Sequence, residues 1–472
     1  MIRGPGSVAA LRPAEQFALH TLIDLARLLP VEDLAADVVR LEVTDRPDRN
    51  RDLGGWIAAG WGFEPADGMV RVPRAALARI AEIAGAVQEQ RTRAADRFGR
   101  VPSEENELVQ AAREREPVVS LAAQGLQRAA MAAAGRRQMR LAAPWPGGHR
   151  WAAALTHDLD VVAWWPLFTL LRLAELGRKG QGRRALQVGA AGVRAIGRDP
   201  IWRGVAGILE REAALSVRST WFVLCGTPTL ATMARGDLTY RPESAGARRI
   251  VTAISSGGHA IGLHGSFATM DTEGLFQGQR ARLQQLTGTP PPKGVRQHFL
   301  RLRPGATHQA MARAGFLYDS SYGFPDRNGF RLGVADVIPV WDEQIGAPLP
   351  LDAAPVTWMD RALSKYRDVE EPGAWVTDAL ALASGCRAVE GLWVGVWHPN
   401  LVPPLGYPGA PEAFATLAQG LVGAGAYLGS LDELVAWRQR RRAVRVRSVA
   451  PDGRVELAGP ASAAVALETP PG

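Results

Sequence analysis

The chain has 472 residues, 47% of them hydrophobic, with 14 tryptophans. That is enough apolar mass for a sizeable core and, at about 150 residues each, for two or three domains. Its two cysteines, Cys225 and Cys386, exclude a disulfide framework and match no metal spacing. The net charge of +8 rests on arginines scattered through an Ala- and Gly-rich chain with only three lysines, which argues against a nucleic-acid partner. The run RQRRRAVRVR (438–447) is the one place dense enough to attract a charged partner.

Residues 12–40 carry apolar positions at helical spacing, and 75–140 are rich in Ala, Arg, Glu and Gln with the same period. These predict a mainly helical N-terminal domain over residues 1–145, bounded by the Pro- and Gly-rich APWPGGHR (143–150). The following ALTHDLD (154–160) is an apolar run ending on two acids one residue apart, so a strand there points Asp158 and Asp160 the same way and His157 the other. A helical stretch over 161–216 contains WWPLFTLLRLAEL (164–176), too short to span a bilayer and expected to pack on the core or a cap rather than lie on a membrane surface. No tract of 18 apolar residues occurs, so the expectation is a cytoplasmic protein without a transmembrane segment.

From residue 219, short apolar runs alternate with helical segments, which predicts βα units, a parallel sheet and most economically a barrel over 146–440. The end, 441–472, reads as a β-hairpin turning at Asp452 and Gly453, followed by a loose tail, PASAAVALETPPG.

RSTWFVL (218–224), GGHAIGLHGS (257–266), VRQHFLR (295–301), AGFLYDSSYGF (314–324), NGFRLG (328–333) and GLWVGVWHPN (391–400) follow ALTHDLD in that order. Over residues 148–438 the set resembles the polysaccharide deacetylase family of metal-dependent carbohydrate esterases, in particular long bacterial members with an N-terminal helical extension. The resemblance implies an α/β fold, a distorted (β/α) barrel with its motifs at the C-terminal strand ends. It also implies hydrolysis of an acetyl group from an N-acetylated or O-acetylated saccharide, with a divalent metal, zinc first and cobalt or nickel as alternatives.

Carried onto this chain, Asp158 is the base, Arg296 its ionic partner and His398 the acid for the leaving group. Asp160 and His264 are metal ligands. The family pattern places a second histidine four residues after the first, where this chain has Ala268. His298 is the expected substitute, as third ligand or as a substrate contact. Asp319, Tyr322, Arg331 and Trp397 are expected to wall the substrate site, with Phe330 also available to stack on a sugar and Asn400 to orient its loop. His20, His149, His259 and His308 are read as structural. The missing histidine keeps a second class open, a non-catalytic saccharide-binding or scaffold protein with a degenerate metal site. An allantoinase-like cyclic-amide hydrolase would use the same base and metal. The oligomeric state is not legible.

Overall fold

The computed structural model describes residues 1–4, 11–32, 38–45, 52–135, 139–272, 274–288, 290–449, 454–459 and 465–469. In the N-terminal part, the helices Pro13–Leu25, Arg74–Ala84 and Val118–Ala134 carry apolar residues at three- and four-residue spacing and bury them against one another. They accompany a four-stranded sheet absent from the sequence reading: Ile2–Arg3 (β1), Val39–Thr44 (β2), Glu64–Ala66 (β3) and Met69–Pro73 (β4), in the order β1-β2-β4-β3. Val70 and Val72 are buried while their neighbours are half-buried, the period-two signature of a strand.

After Leu141–Ala142 (β5), the main sheet is built from Ala152–Leu159 (β6), Thr220–Leu224 (β7), Ala260–Gly265 (β8), Gly294–Gln297 (β9), Tyr318–Asp319 (β10), Ile338–Asp342 (β11), Ala347–Ala353 (β12), Trp358–Met359 (β13) and Leu392–Val396 (β14). Its order is β11-β12-β10-β9-β8-β7-β6-β14-β13, with Tyr427–Leu428 (β15) also on β6. All pairs are parallel except β11 with β12, an edge hairpin the sequence did not announce. Every residue of β6, β7 and β14 is buried, as parallel strands covered on both faces require. No ladder joins β11 to β13 among the described residues, so the expected barrel is an open, curled sheet.

The curl brings the strand ends together. β6 and β9 are separated by two strands, so a flat sheet would hold their backbones about 14 Å apart. Instead the Arg296 guanidinium of β9 crosses the ring face of Phe222 on β7, 4.3 Å from its centroid, and reaches Asp158 on β6 at 2.8 Å. At the end of β8, Gly265 permits a close pass. A Cβ there would lie 2.1 Å from Gln297 Oε1, so a larger residue would push that buried amide from its place against Thr269, next to His298.

Two expectations are corrected by burial. The WWPLFTLLRLAEL segment forms the helix Pro166–Arg178, paired with Gly182–Ala195, but of its leucines it buries only Leu176 fully. The packed face is narrow, formed by Thr169 and Leu176 with Val188 and Gly192, and a Cβ on Gly192 would sit 2.8 Å from the Thr169 methyl. Trp165, Leu167, Leu170 and Leu171 stay exposed. No helix among the described residues is long and apolar enough to cross a membrane.

The basic run 438–447 is likewise largely turned inwards. Arg438 is fully buried and bonds Asp336 at 2.6 Å and both oxygens of Asp24 at 3.2 Å, while Arg442 bonds Asp24 at 3.1 Å and Asp352 at 2.7 Å. Beyond it, Arg445–Val449 (β16) and Val455–Ala458 (β17) pair antiparallel as the predicted hairpin, whose Asp452–Gly453 turn lies outside the described residues. The tail is not wholly loose, because Leu467–Glu468 (β18) pairs with β5 and Glu468 meets Arg27 at 2.9 Å.

This clamp predicts a pH dependence. Burial works to raise the Asp24 carboxyl, but the guanidiniums of Arg438, Arg442 and Arg441 prevail and hold it down at about 2. A depressed carboxylate stabilises the fold above its unfolded value near 3.8 and loses that contribution as pH falls towards 2, a swing on the order of 2 kcal/mol. Asp24→Asn is therefore expected to be markedly less stable than wild type at pH 5 in urea unfolding. The gap should narrow towards pH 2, and a gap constant with pH would contradict the clamp.

Candidate active site and metal centre

A cleft of about 710 Å³ opens at the C-terminal ends of the main strands. Asp158, Asp160, His264, His298 and His398 all line it. The two-residue period of β6 puts both acids on the cleft side, while His157 points away and is held between the Trp397 carbonyl at 2.8 Å and Glu212 at 3.0 Å.

Asp160 Oδ1 lies 3.4 Å from His264 Nε2 and 3.6 Å from His298 Nε2. It is buried and, among the described residues, accepts no hydrogen bond. One ligand atom from each of Asp160, His264 and His298 falls within 4.8 Å of the others. An ion 2.0–2.2 Å from tetrahedrally arranged donors would separate them by about 3.3–3.6 Å, so the three fit a shared divalent cation of the zinc class. Both rings are fixed to present Nε2. His264 Nδ1 donates to the Arg296 carbonyl at 2.9 Å, and His298 Nδ1 donates to buried Asp237 at 3.0 Å, the outer-shell arrangement that orients metal-binding imidazoles. Burial favours protonated Asp160, but the neighbouring His298, His264 and His398 hold its carboxyl well below the usual range. Ala268 is exposed and off the cleft.

His298 sits in an unusual turn. Phe299 and Leu300, next in the chain, both have left-handed backbones, φ 61° and 51°, which non-glycine residues hold only under tertiary constraint. Phe299 stacks on His298 at 4.0 Å and on Phe98 at 5.3 Å, and its carbonyl accepts a 2.8 Å bond from Arg100. Arg301 then ties the carbonyls of Phe98 and Phe267, each at 2.6 Å.

Asp158 is flanked on one side only. Its Oδ1 accepts from Arg296, leaving Oδ2 on the cleft side, 3.8 Å from His264 Nε2. Burial would raise this carboxyl, yet Arg296 and His264 keep it below its ordinary value and ionised. Arg296 is itself fully satisfied by Thr156 and by the Ser320 hydroxyl and carbonyl. Across the cleft, His398 follows β14 with Nε2 3.7 Å from Asp160 Oδ2. Asp360 grips it twice, accepting from His398 Nδ1 and from its backbone N–H, both at 2.6 Å. Burial works against the charged ring, and Asp360 more than offsets it, raising the His398 pKa.

No family model and no curated protein matches the chain. Solved structures do. A Mycobacterium smegmatis chain named as a polysaccharide deacetylase is 19% identical, with a TM-score of 0.43, over 65% of this chain and 96% of that one. The chitin deacetylase of the fungal pathogen Colletotrichum lindemuthianum is 14% identical at TM-score 0.31, over 65% and 91%. A mutant of a CE4 family pseudoenzyme is 11% identical at TM-score 0.28, over 60% and 67%. The first of these carries the name of the family that the sequence resembles.

The residues expected to wall the substrate site are not on the cleft. Asp319 is fully buried, accepting from the Ser321 backbone at 3.0 Å and lying 3.3 Å from His308 Nε2, where it braces the loop carrying Ser320 and Ser321. Tyr322 stacks on His308 at 4.9 Å in the core. Arg331 is buried against Glu89 at 2.6 Å and fastens the N-terminal part to the barrel. Trp397 belongs to an aromatic cluster with Trp358, Trp375 and Phe414, and Phe330 is core as well. The walls are instead Phe299, Tyr366, Tyr407, Arg361 and Lys365, with Asn400 accepting from Arg361 at 2.9 Å.

Sequence reasoning also missed Asp237 and Asp360. Asp360 did leave a signal: WMD (358–360) is a short apolar strand ending on an acid, the same pattern as ALTHDLD. Asp237 sits in a loop between helices and left none.

Proposed function

We propose that the cleft is the active site of a metal-dependent hydrolase that removes an acetyl group from an N-acetylated, or O-acetylated, saccharide. The observation that carries this reading is the buried, unpartnered Asp160 Oδ1 between two oriented imidazoles, with a guanidinium-paired carboxylate and a carboxylate-gripped histidine on either side. Asp160, His264 and His298 would hold a divalent cation, zinc first, which when bound acidifies water and polarises a carbonyl.

The chain's own groups account for the proton movements. Asp158 Oδ2, ionised and free of Arg296, takes a proton from the water that attacks the acetyl carbon. Arg296 positions that carboxylate with one bond from Nη1 to Oδ1, while its Nη2 is held on the Ser320 hydroxyl, a task its planar fork suits. His398 Nε2, with Nδ1 anchored on Asp360, delivers a proton to the departing amine nitrogen as acetate leaves. Tyr407, Tyr366 and Phe299 offer ring faces to a sugar.

Calorimetric titration of chelator-treated protein with zinc, cobalt or nickel tests the ligand set. His298→Ala and Asp160→Ala are each expected to weaken binding at least a hundredfold, whereas Ala268→Ser leaves it unchanged. Acetate release from acetylated oligosaccharides is expected only from loaded protein. Undiminished metal affinity in His298→Ala would sink the ligand assignment. Loaded protein that binds such saccharides without releasing acetate would leave a binding protein.

A further inference from the structure

The helical hairpin beside the cleft is amphipathic in the wrong sense for a soluble cap. Leu167, Leu170, Leu171 and Ala174 follow the i, i+3, i+4, i+7 pattern that normally faces a core, and all four are exposed. Leu186, Ala190 and Val193 repeat the pattern on the second helix, continued by Ile196. The large side chains of this face, with Trp165 at its end, are 59–76% exposed. The two helices pack on each other through the opposite face, where Thr169 lies against Gly192. Trp165 and Leu167 also line the cleft, so the apolar face runs continuously to the rim of the active site.

Charge identifies what covers this face. Residues 161–199 contain seven Lys or Arg against two acids, Glu175 and Asp199. Arg172, Lys179 and Arg184 are engaged with Glu175, Asp368 and Glu370. Arg178, Arg183, Arg194 and Arg198 are exposed and make no ion pair among the described residues. An exposed apolar stripe with tryptophan at its end and arginines along its flanks fits the interface of an anionic bilayer, where leucines enter the acyl boundary and arginines meet headgroup phosphates. A second copy of the chain would bring the same cations face to face.

We infer that the hairpin 165–198 docks this protein on an anionic membrane surface, with the cleft mouth at the lipid–water boundary. Resting on the activity proposed above, the substrate is then a saccharide presented at that surface.

The test is co-sedimentation of the full chain with vesicles of phosphatidylcholine alone or with about 30% phosphatidylglycerol. Binding is expected only to the anionic vesicles and is expected to fall as salt rises. The double variant Leu170→Asp with Leu186→Asp should lose it, and Arg183→Glu with Arg194→Glu should weaken it about tenfold or more. These four residues lie off the cleft, so both variants should keep wild-type turnover of a soluble acetylated oligosaccharide and a wild-type circular dichroism spectrum. Absence of binding to anionic vesicles, or binding unaffected by the Asp substitutions, would overturn the inference. So would a wild-type dimer in sedimentation equilibrium that the Asp substitutions split. Vesicle binding is read without substrate, so an inactive cleft would leave this result standing.

Discussion

Asp158→Asn is expected to lower acetate release about a thousandfold while metal affinity changes by less than tenfold. General-base catalysis is worth roughly 10²–10⁴ in rate, and Asp158 Oδ2 is the ionised oxygen on the cleft side that Arg296 leaves unoccupied. The amide preserves shape and still accepts from Arg296, so the loss reports the missing base rather than a collapsed cleft. Arg296 also keeps Thr156 and Ser320 as partners, which limits the structural cost. Acetate assays run alongside metal isotherms separate the two effects. Activity within tenfold of wild type would remove Asp158 from the proposed mechanism.

The second large effect concerns stability. Arg331→Met leaves Glu89, itself buried, without its cation, and breaking a buried pair from one side costs about 3–5 kcal/mol. Among the described residues Glu89 then retains only Asn106 as a side-chain donor, at 2.8 Å, and the bond from Arg331 to the Gly323 carbonyl is lost as well. Arg331→Met with Glu89→Leu should recover most of the loss, because no charge is then stranded. Denaturant unfolding measures both. A single variant within 1 kcal/mol of wild type would mean the pair is not the fastening it looks to be.

The strand ends were the legible part of this chain. Short apolar runs ending on Asp158, His264, Arg296 and His398 announce themselves, because period two and the parallel sheet leave few places for such residues to go. His298 as the neighbour of Asp160 was half legible. A histidine was visible in RQHFLR, but its direction depends on the left-handed turn at Phe299 and Leu300, which no residue preference signals. The substrate wall was illegible for a different reason. Tyr322, Asp319, Arg331 and Trp397 have the right chemistry, but a loop motif cannot say whether a side chain looks into a cleft or is braced beneath it. The hairpin failed in the opposite direction: an apolar stripe normally implies a covering layer, and here none is supplied by the described residues. Helical composition around MVRVP hid the strands of the small N-terminal sheet.

The stack of Phe98 on Phe299 has a thermodynamic consequence. His298 owes its position to a strained turn, and that turn owes its conformation to a segment about 200 residues upstream, through Phe98 and Arg100. Linkage runs both ways. If His298 is a metal ligand as proposed, a change that loosens residues 96–101 is expected to lower affinity for the ion, and a bound ion to tighten the hold on Phe98. Residues 96–101 are thereby coupled to the candidate metal site through the stacked rings of Phe98 and Phe299 and the bond from Arg100 to the Phe299 carbonyl.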